Sequence, residues 1–127
     1  MAKKRVLVVD DEPDLVIVIK KYLENEGFAV ETAYNGVEAV EKVHANPPDA
    51  IVLDVMMPEK DGYETCAELK NDAKYSGIPI VLLTAVADHV SSTRYSHFDG
   101  MSTQADDYLP KPASAEDICE SVKRLVE

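Results

Sequence analysis

The chain has no tryptophan, two phenylalanines, two cysteines and five glycines among its 127 residues. So few cysteines rule out a fold stapled by disulfides, and a chain of this size buries enough surface to need neither disulfides nor a structural metal. Cys66 and Cys119 lie far apart in helix-like sequence, with no second Cys or His at ligand spacing, which argues against a zinc site. They are expected to be reduced, buried or half-buried thiols of a cytosolic protein. His44, His89 and His97 likewise share no metal-ligand spacing. Basic residues are scarce, 13 Lys and Arg against 24 Asp and Glu, for a net charge of −11. That balance argues against binding nucleic acid, whose affinity comes from cations on phosphates, and against an anionic membrane surface. It suits divalent cations and basic partner surfaces. No stretch approaches the roughly 20 apolar residues of a membrane span. The basic start Met1-Ala2-Lys3-Lys4-Arg5 precedes only Val6 to Val9, too short an apolar region for a signal peptide. A cytoplasmic location is expected.

What is present is a regular alternation. Short apolar runs (Val6–Val9, Phe28–Ala33, Ala50–Leu53, Ile78–Leu83 and a last one at Asp107-Tyr108-Leu109) alternate with segments of helical period. Leu15, Val18, Ile19, Tyr22 and Leu23 form one helical face, opened by Pro13 and closed by Gly27. Asn35 and Glu38 make a capping pair for a helix through about His44, which Pro47-Pro48 ends. A third helix follows Gly62, with Tyr63, Ala67 and Leu69 inward, until Tyr75. Residues 86 to about 98 form a fourth, and Ser114 with Asp117 caps a fifth, striped by Ile118, Val122 and Leu125. Continuous apolar strands indicate burial on both faces, and the alternation implies a parallel sheet with helices on both sides. The chain reads as one α/β domain spanning residues 1–127, without repeats or linkers.

Open parallel sheets bind ligands beyond the carboxyl ends of their strands. The polar residues expected there are Asp10 and Asp11, Asp54, Thr84 and Lys111. Carboxylates within about 4 Å of one another repel by roughly 4 kcal/mol per pair at an effective dielectric of about 20. Protonation, the Lys111 ammonium or a divalent cation must offset that. With oxygen ligands alone, Mg²⁺ fits best. An aspartate beside Mg²⁺, a lysine and a hydroxyl is chemically a phosphoryl acceptor. Any one of these residues alone reads as a helix cap or a solvated charge. All five together, at four strand ends in this order, do not.

These residues carry a family resemblance. Val8-Val9-Asp10-Asp11-Glu12-Pro13, Ile51-Val52-Leu53-Asp54-Val55-Met56-Met57-Pro58 with Asp61-Gly62, Leu82-Leu83-Thr84-Ala85, and Asp106-Asp107-Tyr108-Leu109-Pro110-Lys111-Pro112 resemble the receiver domain of two-component response regulators. The resemblance covers essentially the whole chain. It implies a doubly wound, flavodoxin-like sheet of order 2-1-3-4-5 and a cis Lys111-Pro112 bond. It implies that Asp54 accepts a phosphoryl group from a phosphohistidine on a histidine kinase or histidine phosphotransfer protein. Asp11, Asp54 and the Met56 backbone carbonyl would bind Mg²⁺, Asp10 mainly through water, while Thr84 and Lys111 contact the phosphoryl oxygens. On phosphorylation Thr84 would move and Tyr108 turn inward, altering the surface around the fourth helix, fifth strand and fifth helix for a downstream protein target.

Between Thr84 and Asp106 the chain runs several residues longer than the family pattern, with Ser96 to Gln104 in place of a short turn. This insertion is expected to alter partner choice or the mobility of the fourth helix. Neither Met56 nor Val86 can orient an attacking water, so slow self-dephosphorylation is expected. Leu125-Val126 closes the chain with no room for an output domain, so a stand-alone switch that turns over no external substrate is expected. Two other readings stand beside it: an aspartate-nucleophile Mg²⁺ phosphatase and a degenerate receiver acting as a constitutive interaction module. The phosphatases carry an acid/base Asp two residues after the nucleophile, where this chain has Met56.

Overall fold

The computed structural model describes residues 3–57, 60–84 and 105–126. Five strands, β1 (Arg5–Val9), β2 (Ala29–Ala33), β3 (Ala50–Asp54), β4 (Ile80–Thr84) and β5 (Asp107–Pro110), form one sheet of order β2-β1-β3-β4-β5. Every neighbouring pair is parallel. The described helices are α1 (Pro13–Asn25), α2 (Gly36–Ala45), α3 (Gly62–Lys70) and α4 (Ala115–Val126). The expected helix over 86–98, the insertion at 96–104, Pro58, Val86, His89 and His97 lie outside the described residues.

Successive strand residues point to opposite faces, and the core divides accordingly. Leu7, Val9, Ile51, Leu53, Ile80 and Leu82 pack with residues of α2 and α3. Val6, Val8, Val52, Val81 and Leu83 pack on the other face with Val16, Ile19 and Leu23 of α1 and Ile118, Cys119 and Val122 of α4. Double-sided burial, expected for every strand, holds for the central ones. β3 and β4 are buried throughout, whereas the edge strands β2 and β5 are only partly buried. An edge strand lacks a neighbour on one side, which leaves its side chains partly open.

Local sequence explains the helix boundaries. Pro13 opens α1, and Gly27, at φ 99°, takes the left-handed conformation that ends it. The Asn35 side chain accepts from the Glu38 amide at 2.8 Å, while the Glu38 carboxylate accepts from the Tyr34 amide rather than from that of Asn35. Asp61 and Ser114 cap α3 and α4 in the same way, accepting from the Glu64 and Asp117 amides.

Two expectations need correction. α3 ends at Lys70 instead of continuing to Tyr75, and turns fill the interval to β4, which begins at Ile80. The buried face of α3 comprises Gly62, Thr65, Cys66 and the expected Leu69; Tyr63 is half-buried and packs against the same core, whereas Ala67 is only half-buried. Gly62 sets that rotation, because its backbone lies directly against β3. Both cysteines are free and buried, and burial pushes the Cys119 thiol above its ordinary range.

Candidate functional site

β1 connects to β2 on one side and β3 leads to β4 on the other, so the strand order reverses between β1 and β3. A crevice forms at such a point, and Asp10 follows β1 there while Asp54 ends β3. Both are buried, 0% and 1% exposed. Lys111, just after β5, reaches across with its Nζ 2.9 Å from Asp54 Oδ1 and 3.3 Å from Asp10 Oδ2. The Lys111 amide donates to the Thr84 carbonyl, tying this lysine to the end of β4, and the Lys111-Pro112 bond is cis. Asp10 Oδ1 accepts from the Glu12 amide at 3.0 Å.

The electrostatics follow from burial. Desolvation pushes the Asp54 carboxyl up, the Lys111 hydrogen bond holds it down, and nearby Asp10 raises it again, to about 6 in all. Burial likewise raises Asp10, with the Glu12 amide and Lys111 opposing. For Lys111, burial favours the neutral amine, but Asp54 and Asp10 together outweigh it and hold the ammonium above its ordinary range. One lysine thus serves two buried carboxylates. It does not satisfy them fully: Asp54 Oδ2 is buried with no hydrogen-bond partner among the described residues.

The remaining predicted residues sit around this trio. Asp11 is exposed, and its carboxylate lies with those of Asp10 and Glu12 in a group whose oxygens fall within 4.8 Å of one another. Met56 donates its amide weakly to Asp54 Oδ1 at 3.4 Å, while its side chain is 59% exposed. Thr84 is buried at the end of β4, and Tyr108 stands on β5 with 41% of its surface exposed, which a plain core aromatic would not show. The donors are all oxygen, and a buried carboxylate oxygen is left over. That set fits a hard divalent cation.

Sequence reasoning missed Glu12 as the third carboxylate; its place in the Asp10-Asp11-Glu12-Pro13 run was the available signal. The motif alone does not reveal what Asp106 and Asp107 hold together. Asp106 Oδ2 accepts from Lys70 Nζ and the Ile80 amide, both at 2.8 Å. Asp107 Oδ2 accepts from Ser121 and Arg124, both at 2.6 Å. These two aspartates hold the entry of β5 to α3, β4 and α4, and so the strand that carries Tyr108 and leads to Lys111.

A family model for the response regulator receiver domain matches residues 6–123. The chain belongs to that family. It is 41% identical over 122 residues to the response regulator MprA of Mycobacterium ulcerans, a match covering 96% of this receiver and 50% of that protein. The chain thus spans about half the length of the curated relatives it matches. Among solved structures, the signal receiver domain of a signal transduction histidine kinase from Syntrophus aciditrophicus superposes with a TM-score of 0.85 at 36% identity, covering 97% of this chain and 89% of that one. The chemotaxis response regulator CheY4 of Vibrio cholerae gives 0.82 at 27% identity, covering 98% and 99%. The flavodoxin-like architecture and the place in two-component signalling expected from the sequence therefore hold. Among the described residues no helix is long and apolar enough to cross a membrane.

Proposed function

We propose that this receiver is a phosphoryl-accepting switch in the cytoplasm, charged on Asp54 by a phosphohistidine of a histidine kinase or histidine phosphotransfer protein. The observation that carries the reading is Asp54 itself, a buried carboxylate with Oδ1 held by Lys111 and Oδ2 without a partner. A buried polar oxygen without a partner costs on the order of 1–3 kcal/mol, a cost that a site built to receive a ligand carries until the ligand arrives.

Asp54 acts as nucleophile. Its oxygen bonds to phosphorus while the bond from phosphorus to the donor imidazole nitrogen breaks, and the imidazole keeps that electron pair. Lys111 and the Thr84 hydroxyl stabilise the phosphoryl oxygens as charge develops on them. Only the ionised carboxylate attacks; in the metal-free site Asp54 takes up a proton below about pH 6, and a bound divalent cation lowers that point and keeps the nucleophile ionised. Asp10, Asp11, Asp54 and the Met56 carbonyl would hold Mg²⁺, with Glu12 beside them. When bound, it neutralises charge on the phosphoryl oxygens. Tyr108 is 41% exposed on β5, which supports its role as the residue that turns inward and alters the surface around β5 for a downstream protein target.

Incubation with Mg²⁺ and acetyl phosphate, read by intact mass, tests the assignment. One added phosphoryl group is expected, absent in Asp54→Asn and in EDTA. Steady phosphate release without an adduct would instead support the phosphatase. A constitutive interaction module would show neither adduct nor release, with the cognate phosphohistidine as with acetyl phosphate.

The chain assists its own phosphorylation and hydrolysis but turns over no external substrate. The side chains of Met56 and Val86 carry no N–H, O–H or carbonyl group with which to orient water, so the adduct is expected to last minutes or longer. Met56→Asn combined with Val86→Glu should shorten that lifetime, measured as decay of the phosphorylated mass. Equal decay in both proteins would remove these positions from control of the lifetime.

A further inference from the structure

While Val16, Ile19 and Leu23 of α1 are buried against the sheet, its outward line reads Asp14, Ile17, Val18, Lys21. All four are exposed, Ile17 by 48% and Val18 by 56%. Residues three or four apart share a helix face, so they form one stripe: an acid, two branched aliphatics in the middle, and a base. Apolar side chains exposed singly are ordinary. An adjacent pair framed by opposite charges is a pattern. The framing charges are also uncommitted. Lys20 pairs with Glu24 inside α1 at 4.0 Å, whereas among the described residues neither Asp14 nor Lys21 has an ion-pair partner. The helix as a whole is neutral, with Asp14 and Glu24 against Lys20 and Lys21, in a chain whose net charge is −11. Like-charged copies of this chain meet with least repulsion on such a face.

We propose that α1 is a two-fold contact between two copies of this chain. The stripe is complementary to itself. When a second α1 lies antiparallel to the first, with the symmetry axis between Ile17 and Val18, Asp14 of each copy meets Lys21 of the other. Ile17 of each meets Val18 of the other, and the axis repeats both contacts, as a closed isologous dimer requires. One helix face per copy is less than the roughly 800 Å² per partner of a stable interface, so the dimer is weak and depends on concentration.

Sedimentation equilibrium of the full chain, without metal or phosphodonor, tests this at loadings from about 10 μM to about 1 mM, the range of a weak interface. The apparent mass of wild type should rise above that of one chain as the loading increases. Val18→Asp, at the centre of the stripe, should abolish the rise. Asp14→Lys and Lys21→Asp each set like charges against one another in a homodimer, so either variant alone should keep the mass of one chain. Mixed in equal amounts, the basic stripe of one meets the acidic stripe of the other. The mixture should then associate on the order of tenfold more tightly than either component. All three positions are exposed, so the variants keep the fold, which their urea midpoints check. A mixture that associates no better than its components overturns the proposal, as does wild-type association that survives Val18→Asp. A wild-type mass that stays at one chain over the whole range also overturns it, and would leave the stripe open to a different protein. None of these outcomes depends on Asp54 being a phosphoryl acceptor.

Discussion

Replacing Gly62 by alanine is expected to cost the fold about 3 kcal/mol and to slow phosphoryl acceptance at least tenfold. A Cβ at this position would lie 2.4 Å from the Asp54 carbonyl oxygen, 2.7 Å from the Val55 Cα and 3.0 Å from the Asp54 carbonyl carbon. All three are backbone atoms, so no side chain can swing aside, and the Gly62 amide is also committed to the Val55 carbonyl at 2.9 Å. Either α3 retreats or the end of β3 shifts. Overpacking against a fixed core costs about 1–3 kcal/mol, more where the backbone itself must move. Because the displaced peptide is that of the acceptor, the chemistry suffers as well; a misplacement of about 1 Å is worth up to about a hundredfold in rate. Gly77→Ala is the control, since its added Cβ meets nothing within 4 Å and its φ is not in the left-handed region. Urea midpoints of the two variants against wild type decide the matter. A Gly62→Ala midpoint equal to that of Gly77→Ala would show that α3 has room to move.

The same contact shows where sequence reasoning reached its limit. The apolar runs of β1, β3 and β4 could be read directly because both faces of each strand are covered. Asn35 and Ser114 marked helix starts because a cap is a local interaction between residues three apart. The inward face of α3 could not be read this way. Periodicity alone favoured Ala67 beside Tyr63 and Leu69, whereas the close approach of Gly62 to β3 brings Thr65 and Cys66 fully inward and leaves Ala67 half-buried. The site divides along the same line. That Asp10, Asp54 and Lys111 follow strands was visible; how one ammonium is shared between two buried carboxylates was not, because pairing depends on distances between elements remote in sequence. A cavity beside them was hidden for the same reason, being assembled from α1, β4 and the turn after β5.

That shared ammonium leads to the largest stability effect expected of any single change here. Without metal or phosphoryl group, Lys111→Met should destabilise the protein by about 3–5 kcal/mol at pH 7.5, the usual cost of stranding buried charge. Asp10 and Asp54 would then face each other, 0% and 1% exposed, with no cation between them. The pH dependence identifies the cause. The folded-state value of Asp54 stands at about 6, above the ordinary 3.8, so between those limits the folded protein binds more protons than the unfolded chain. Its contribution to stability is therefore fully present below about pH 4 and is lost as the pH rises through 6. The difference corresponds to on the order of 3 kcal/mol at neutral pH. Removing Lys111 takes away the hydrogen bond that opposes desolvation, which raises Asp54 further and moves the loss to higher pH. The variant should consequently regain much of its deficit by pH 5, where Asp54 is neutral. Adding Asp54→Asn should recover most of it at pH 7.5 as well, by deleting one of the two stranded charges. Urea unfolding of wild type, Lys111→Met and the double variant at pH 5 and 7.5 reads all of this. A deficit independent of pH and untouched by Asp54→Asn would mean that Lys111 stabilises the fold through the packing of its stem, and that the site's charges are already balanced by solvent.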